Sequence, residues 1–370
     1  MNSARLVQKI RHTLCRQPLA KDTRGAVAVT VAIMLVVLLS FGALALDISN
    51  AMIARNELQN VADASALAGA RQLGVIYAAL PQGTPYTTYT LSNPTVVTSA
   101  VTSVALSNQA RQVAIVINPA DIVIGVWNVA PRTLTPGLVG ATGVEVTARR
   151  DAGANGPVAT WLAGVMGINS MSVVATATAA LTGTGVLVPG EANAPFGFDR
   201  VFFTDPDFCN RPILFSPTPS SCAGWQTFND PTNANNLRQI LRGLTPNPPT
   251  YITPQITAGQ TSLNYIGGEV ASAFPNLVTL FNTKKVLDPN APAPYTQCWN
   301  VTVPVYDTGS ASCSNPNTTM MTVGFAQACV YNVTSNPRLI QAIVTCGEVT
   351  GGQGGGGNFG TLGSIPGLVK

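Results

Sequence analysis

Residues 24–73 read RGAVAVTVAIMLVVLLSFGALALDISNAMIARNELQNVADASALAGARQL, and this stretch decides how the chain is built. Between Arg24 and Asp47 the sequence carries no charge and is dense in Val, Leu, Ile and Ala. At about 1.5 Å per residue, residues 25–46 form a helix roughly 33 Å long, which matches a hydrocarbon core of about 30 Å. We therefore predict a transmembrane helix over 25–46.

The helical pattern continues past the span, because residues 47–68 contain neither Pro nor Gly. One face of this extension carries mostly small, apolar side chains. The opposite face carries the polar residues Asn56, Gln59, Asn60 and Asp63. The face we expect to pack, within the chain or on a partner, consists of Ala51, Ala54, Leu58, Val61, Ala62, Ser65 and Ala68. The sequence thus predicts an amphipathic helix over 47–73 that continues the span.

A cleaved secretory signal peptide is the alternative for the apolar segment, since Ala43-Leu44-Ala45 offers a small-x-small cleavage pattern. Signal peptides have apolar regions of only about 7–15 residues, so the longer run here favours an uncleaved anchor. Six basic residues precede the span: Arg5, Lys9, Arg11, Arg16, Lys21 and Arg24. The positive-inside rule then predicts a cytoplasmic stub at 1–24 and export of the rest of the chain.

Charge and composition exclude several functional classes. Charged residues make up 10% of the chain, and its net charge of +4 is concentrated in the N-terminal stub. The remainder carries no basic excess with which to bind nucleic acid. The single histidine, His12, lies in the stub, so we expect neither a histidine-based catalytic triad nor a histidine-ligated zinc site in the exported part. We expect no cofactor and no metal.

The cysteines, like the charges, are divided between the N-terminal stub and the rest of the chain. Cys15 lies in the stub, and the exported part holds six cysteines: Cys209, Cys222, Cys298, Cys313, Cys329 and Cys346. An even number in an oxidising compartment predicts three disulfides, with 15 possible connectivities. We expect the local pair Cys209–Cys222. A metal site is disfavoured because the sequence has no Cys-x-x-Cys pair.

The rest of the chain divides into three parts by composition. For residues 74–182 the sequence predicts a small α/β sandwich. Its helices are expected at 95–109 and 157–167, and its strands at 112–117, 122–128, 143–149 and 171–181. After a linker at 182–190, residues 183–349 predict a cysteine-rich unit of short strands and loops, with one helix at 235–243. The glycine-rich residues 350–370 predict a flexible tail, since glycine loses the most entropy on ordering.

An aspartic-protease-like loop and four tryptophans suggest catalysis and sugar binding, respectively, but both have structural explanations. Residues 305–310 (VYDTGS) resemble the Asp-Thr-Gly-Ser loop of aspartic proteases, where two such loops bring two carboxylates together. Only one copy is present, and nearby Cys313 indicates a disulfide-pinned turn. We also expect the tryptophans to be core and disulfide-packing residues rather than a sugar platform. They are Trp127, Trp161, Trp225 and Trp299.

The N-terminal stretch resembles the amino-terminal module of the TadG-like family of Flp pilus-assembly (tight adherence) proteins. The resemblance is carried by the Arg-Gly before the span, Asp47 at its exit, Leu58-Gln59 and the run ADASALAGA at 62–70. Weaker similarity extends over most of residues 24–349. The Asp-x-Ser-x-Ser motif of longer relatives is absent, so the sequence does not support a metal-dependent adhesion site.

The resemblance implies a single-pass protein of the bacterial inner membrane, with its bulk in the periplasm, that builds or anchors adhesive pili. Its partners would be the lipid bilayer and other pilus-assembly proteins or pilins. The expected fold is α+β: a transmembrane helix extended by an amphipathic helix, a small α/β sandwich, then a disulfide-rich, mainly β and loop domain. The alternatives are an aspartic-protease-like envelope hydrolase and a cleaved, secreted adhesin.

Overall fold

The computed structural model describes residues 23–81, 83–215, 221–268 and 270–370. The predicted cytoplasmic stub, with His12 and Cys15, lies outside the described residues apart from its last two positions. The described chain has an N-terminal long apolar helix followed by mostly β structure with three disulfides. The α+β fold class predicted from the sequence is therefore confirmed.

Helix α1 runs without a break over Thr23–Ala78, 56 residues or roughly 84 Å at about 1.5 Å per residue. It is five residues longer at its C-terminal end than the predicted 47–73 extension. Turn hydrogen bonds from Ala79 to Ile76 and from Leu80 to Tyr77 close its last turn. Pro81 follows, and a proline disfavours helical geometry in the residue before it. The span and its extension are thus one continuous rod.

The rest of the described chain contains three shorter α-helices, five short 3₁₀ helices and 21 strands, joined by loops. The helices are α2 (Pro94–Leu106), α3 (Ala234–Leu244) and α4 (Phe274–Lys284). The strands are β1 (Gln109–Ala110), β2 (Val113–Ala114), β3 (Ile122–Asn128), β4 (Thr133–Pro136), β5 (Gly143–Arg150), β6 (Val158–Ala159), β7 (Ser170–Met171), β8 (Val173–Ala180), β9 (Gly183–Leu187), β10 (Phe196–Asp199), β11 (Pro212–Phe215), β12 (Ala223–Gln226), β13 (Ile256–Thr257), β14 (Ser262–Ile266), β15 (Val286–Leu287), β16 (Gln297–Tyr306), β17 (Thr319–Ser335), β18 (Arg338–Val344), β19 (Val349–Gly356), β20 (Leu362–Ile365) and β21 (Gly367–Leu368).

The first unit is an antiparallel sheet in the order β21-β8-β5-β3-β4. Helices α1 and α2 pack on it, and the alternating strand residues Val144, Val146 and Ala148 are fully buried beneath them. Asn93 caps α2 by accepting a hydrogen bond from the Thr95 amide. The predicted short helix at 157–167 is instead the β6–β7 hairpin, with a 3₁₀ turn at Ala163–Met166.

The second unit is built on an eight-stranded sheet, in the order β11-β18-β17-β14-β12-β10-β16-β15. Because β16 also pairs with β17, the five strands β17, β14, β12, β10 and β16 form a closed ring of pairings. Its aromatic core includes Trp225, Tyr265 and Tyr306, all with no exposed surface. Helix α4, which the sequence analysis does not predict, adds Phe274 and Leu277 to this core.

The glycine-rich C-terminal segment differs from the flexible tail that its composition predicts. Residues of β19 pair with β9 and β20, so the predicted linker at 182–190 and the tail form one sheet. The glycines allow the two backbones to approach closely: a Cβ on Gly356 would lie 2.0 Å from the Thr184 carbonyl oxygen. The chain then returns to the first unit, where β21 pairs with β8. Long-range backbone pairing offsets the entropy cost that dominates in an isolated glycine-rich segment.

Three disulfides confirm the predicted number, but the expected local pair is wrong. The bridges join Cys209 to Cys346, Cys222 to Cys313 and Cys298 to Cys329. The reason is strand pairing: β11 runs antiparallel to β18 with Pro212 opposite Ile343. Extending that register outward by three residues brings 209 opposite 346, so the sheet brings together two cysteines that are far apart in sequence.

Candidate functional site: the packed face of α1 and its joint to the first unit

The face of α1 selected from the sequence lies mostly against the first unit. Ala54, Leu58, Val61, Ala62 and Ser65 are at most 1% exposed, whereas Ala51 and Ala68 are partly buried. The buried face is wider than the selected set and continues further along the helix, through Ala66, Gly69, Ala70, Leu73 and Tyr77. Sequence spacing missed these five residues because both α2 and the sheet cover the helix, which widens the buried arc.

Two glycines show how closely α1 approaches its neighbours. A Cβ on Gly69 would lie 2.7 Å from Cγ2 of Val101 on α2 and 3.0 Å from Cγ1 of Val144 on β5. A Cβ on Gly74 would lie 2.1 Å from the backbone oxygen of Ser364 on β20. Real Cβ atoms are almost never closer than 3.0 Å to such neighbours. The small residues of α1 are therefore needed for packing within the chain.

Polar contacts hold the same helix along both edges of the packed face. Glu57 Oε2 accepts a hydrogen bond from the Arg111 amide at 2.6 Å. Arg71 Nη1 donates to the Ser364 carbonyl at 2.7 Å, and the Tyr77 hydroxyl donates to the Ala141 carbonyl at 2.7 Å. The helix is thus attached to the hairpin after α2, to the sheet, and to the C-terminal strands.

Asp47 forms the joint between the apolar span and the first unit. Its carboxylate, 2% exposed, accepts hydrogen bonds from the amides of Trp161 (2.7 Å), Leu162 (3.1 Å) and Ala163 (2.6 Å). One turn further along α1, Asn50 Nδ2 donates to the Ala159 carbonyl at 3.2 Å. We name residues 160–169, between β6 and β7, the joint loop, because these contacts attach it to α1 immediately after the span.

The hydrogen bonds to Asp47 favour its charged form. The hydrogen bonds from the amides of Trp161 and Ala163 lower the pKa of this carboxyl below its ordinary value, although burial opposes the shift. The resemblance singled out Asp47 as a feature of the span exit, and the structure shows that it holds the joint loop. No signal in the sequence indicates the partner segment, more than a hundred residues away.

Trp161 lies on this loop and corrects an expectation from the sequence. Its side chain is 71% exposed, so it is neither a core nor a disulfide-packing residue. The other three tryptophans follow the expectation of burial: Trp127 is 9%, Trp225 0% and Trp299 3% exposed. The hydrogen bonds of the joint loop to Asp47 hold Trp161 at the end of the first unit that lies next to the apolar span.

The loop that resembles an aspartic-protease motif has its carboxylates engaged in structural contacts. Asp199, fully buried on β10, lies beside it and accepts a hydrogen bond from the Ser314 amide at 3.0 Å. Burial raises the pKa of Asp199. Asp307 forms an ion pair with Arg200 at 2.9 Å, and the Cys222–Cys313 bridge closes the loop. These contacts explain both carboxylates as parts of a pinned turn.

The remaining candidate sites are sparse. No group of three or more His, Cys, Asp or Glu residues close enough to hold a metal occurs in the described ranges. A cleft of about 650 Å³ lies between Trp127 and the glycines of 354–357. Its described lining has one charged side chain, Arg132, whose Nη2 donates to the Val369 carbonyl at 2.6 Å. The described lining of the cleft contains no carboxylate, imidazole, amine or thiol side chain.

Comparison with known proteins finds a similarity that lies in the N-terminal helix. No curated protein and no solved structure gives a significant match to this chain. Within the described residues, α1 is the one helix long and apolar enough to cross a membrane. Residues 25–72, which are the span and the packed face together, match the family model described as "Putative Flp pilus-assembly TadE/G-like". The N-terminal helix of this chain is therefore similar to the TadE/G-like pilus-assembly family over these residues.

Proposed function

We propose that this protein is a structural, non-catalytic component of Flp pilus assembly, anchored in the bacterial inner membrane by residues 25–46. Its N-terminus would be cytoplasmic and its two β-rich units periplasmic. The observation that carries the proposal is the continuity of α1. A single helix matched by the pilus-assembly family begins in the apolar span and ends inside the core of the first unit.

The mechanical consequence of that continuity supports an anchoring role. The described part of α1 has no proline, and its glycines before the packed face are Gly25 and Gly42. Past Asp47 it is buried against the sheet and α2. A force applied to the exported units is therefore transmitted to the span through helical hydrogen bonds and core packing rather than through a flexible linker. Three disulfides add resistance to unfolding in an oxidising compartment such as the periplasm.

Orientation rests on the six basic residues before the span. A cysteine introduced by Val129→Cys, at a position 69% exposed, tests it. We expect a membrane-impermeant maleimide to label this cysteine in cells with a permeabilised outer membrane and an intact inner membrane. Labelling only after the inner membrane is opened would refute the orientation.

The role in pilus assembly is tested by deleting the gene and complementing it. We expect the deletion to abolish surface pili and adhesion, and the intact chain to restore both. Immunodetection of this chain in purified pili separates a pilus subunit from an assembly or anchoring factor, which stays with the membrane fraction. Normal piliation in the deletion strain would refute the proposal.

A further inference from the structure

The joint loop carries an apolar surface that packing within the described chain does not cover. Trp161 is 71% exposed, Leu162 40% and Ile168 53%. No charged residue occurs between Asp151 and Glu191, so the whole β6–β7 hairpin is uncharged. Exposed clusters of large apolar residues usually mark a surface that contacts a partner or a membrane.

The position of this loop along α1 indicates what contacts it. Its attachment point, Asp47, lies roughly 33 Å above Gly25 at about 1.5 Å per residue. A bilayer hydrocarbon core is about 30 Å thick, and the bilayer with its polar headgroup regions is about 40–45 Å thick. If the span begins at Gly25, the joint loop lies at the boundary between hydrocarbon and headgroups.

Helix α1 has the same character beside the loop. Ile48, Met52 and Ile53 are 46%, 64% and 45% exposed, although they follow the predicted end of the span. The carboxylate of Asp47 is covered by three backbone amides, so it presents no free charge to the surroundings. The first exposed charge beyond it is Arg55, roughly 45 Å above Gly25. The exposed helix surface is therefore uncharged across the full depth of the outer headgroup region.

We infer that the joint loop inserts into the outer leaflet of the bilayer that α1 crosses, with Trp161 as its interfacial anchor. This inference rests on the proposed membrane anchoring. Tryptophan is enriched at this depth because its large ring is apolar and its indole N–H still reaches water or headgroups. The loop is then a second attachment point beside the helix, which prevents the exported units from rotating about α1.

The fluorescence of Trp161 provides the test, because the other three tryptophans are at most 9% exposed. The full chain is reconstituted in liposomes with and without lipids brominated near the headgroup. We expect brominated lipids to quench part of the emission, and the Trp161→Phe variant to lose that quenching. A control tryptophan, Val129→Trp in the Trp161→Phe background, should remain unquenched by the lipid. Val129 lines a cleft with Tyr86, which contacts Tyr77 at the far end of α1, roughly 45 Å from Asp47.

A second variant tests whether the joint itself places the loop. Asp47→Ala removes the acceptor of three amide hydrogen bonds but leaves the span unchanged. We expect lipid quenching of Trp161 to fall in this variant while the protein remains in the liposome fraction. Unchanged quenching in Asp47→Ala would show that the joint does not position the loop.

Flotation and carbonate extraction of the same liposomes separate the two proposals. If the chain is extracted, membrane anchoring fails and the inference fails with it. If the chain resists extraction but Trp161 is quenched by aqueous acrylamide and not by brominated lipid, the anchor stands and the inference is overturned. Protection of Trp161 from both quenchers would indicate a protein neighbour on the loop and would also overturn it.

Discussion

The close approach of α1 to the C-terminal strand β20 gives the sharpest prediction, through Gly74→Ala. A Cβ at this position would lie 2.1 Å from the Ser364 backbone oxygen and 2.9 Å from its carbonyl carbon. These are backbone atoms, so no rotamer change relieves the clash. Helix and strand must separate by at least about 1.3 Å to reach an ordinary van der Waals contact. The separation also stretches the hydrogen bond from Arg71 to Ser364, now 2.7 Å long.

Overpacking of this kind costs about 1–3 kcal/mol, and we expect the upper end because the obstruction is backbone. Replacing glycine by alanine within a helix contributes about 1 kcal/mol in the opposite direction. The net loss is then about 2 kcal/mol, which lowers the melting temperature by about 4–8 °C if the first unit melts cooperatively. The C-terminal strands should be the first part to open, because β20 and β21 pack against α1 and β8.

Two matched glycines on the same helix control the experiment. Nothing lies within 4 Å of a Cβ on Gly42, so Gly42→Ala should be neutral or slightly stabilising. Gly69→Ala meets only the movable side chains of Val101 and Val144 and should have an intermediate cost. Differential scanning calorimetry and limited proteolysis of the C-terminal segment measure the series. Equal melting temperatures for Gly74→Ala and Gly42→Ala would refute the close approach of α1 to β20.

Three further predictions concern the packed face, the bridges and the joint. Ala62→Leu, at a fully buried site, should lower the free energy of unfolding by about 1–3 kcal/mol and reduce protein abundance. Asn60→Leu, on the exposed side of the helix, should have little effect. Equal effects of the two substitutions in thermal melts would mean that the packed face is misassigned. The denatured, unreduced protein should show no free thiol among the six cysteines between positions 209 and 346, and mass mapping should find Cys209 joined to Cys346. Labelling of two or more of these thiols would contradict the three bridges. Because the pKa of Asp47 is lower in the folded protein, its contribution to stability is complete above pH 3.8 and is lost as the pH falls through the lower folded value. Amide exchange at Trp161 and Ala163 should therefore be protected at pH 5–7 and accelerate, relative to the intrinsic rate, below pH 3.8; the Asp47→Ala variant should show no such transition.

Local patterns were sufficient for α1, α2 and α3, but they missed α4 and wrongly predicted a helix over 157–167. The predicted ranges 95–109 and 235–243 correspond to α2 (Pro94–Leu106) and α3 (Ala234–Leu244), and the predicted strand 122–128 has the bounds of β3. The span and its amphipathic extension also follow from charge and periodicity alone. These features depend on residues within a few turns of each other, so their physical cause is present in a short window of sequence.

The packed face of α1 could be predicted only in part from the sequence. Periodicity identified Leu58 and Ala62 as buried, but gave no reason to expect that Gly69 and Gly74 would contact three different elements. Burial of a helix face depends on how many neighbours cover it, and those neighbours come from distant parts of the chain. The same limitation explains why Trp161, expected in a core, lies exposed on a loop attached to Asp47.

An apolar span, a helix that continues beyond it and three disulfides could all be predicted from the order of the residues alone. The contact partners could not: Cys209 pairs with Cys346, Asp47 holds the joint loop, and the glycine-rich tail packs with β9 and α1. Each of these contacts joins residues more than a hundred positions apart. Their free energy depends on the register and packing of whole sheets, and no local window of the sequence contains that information.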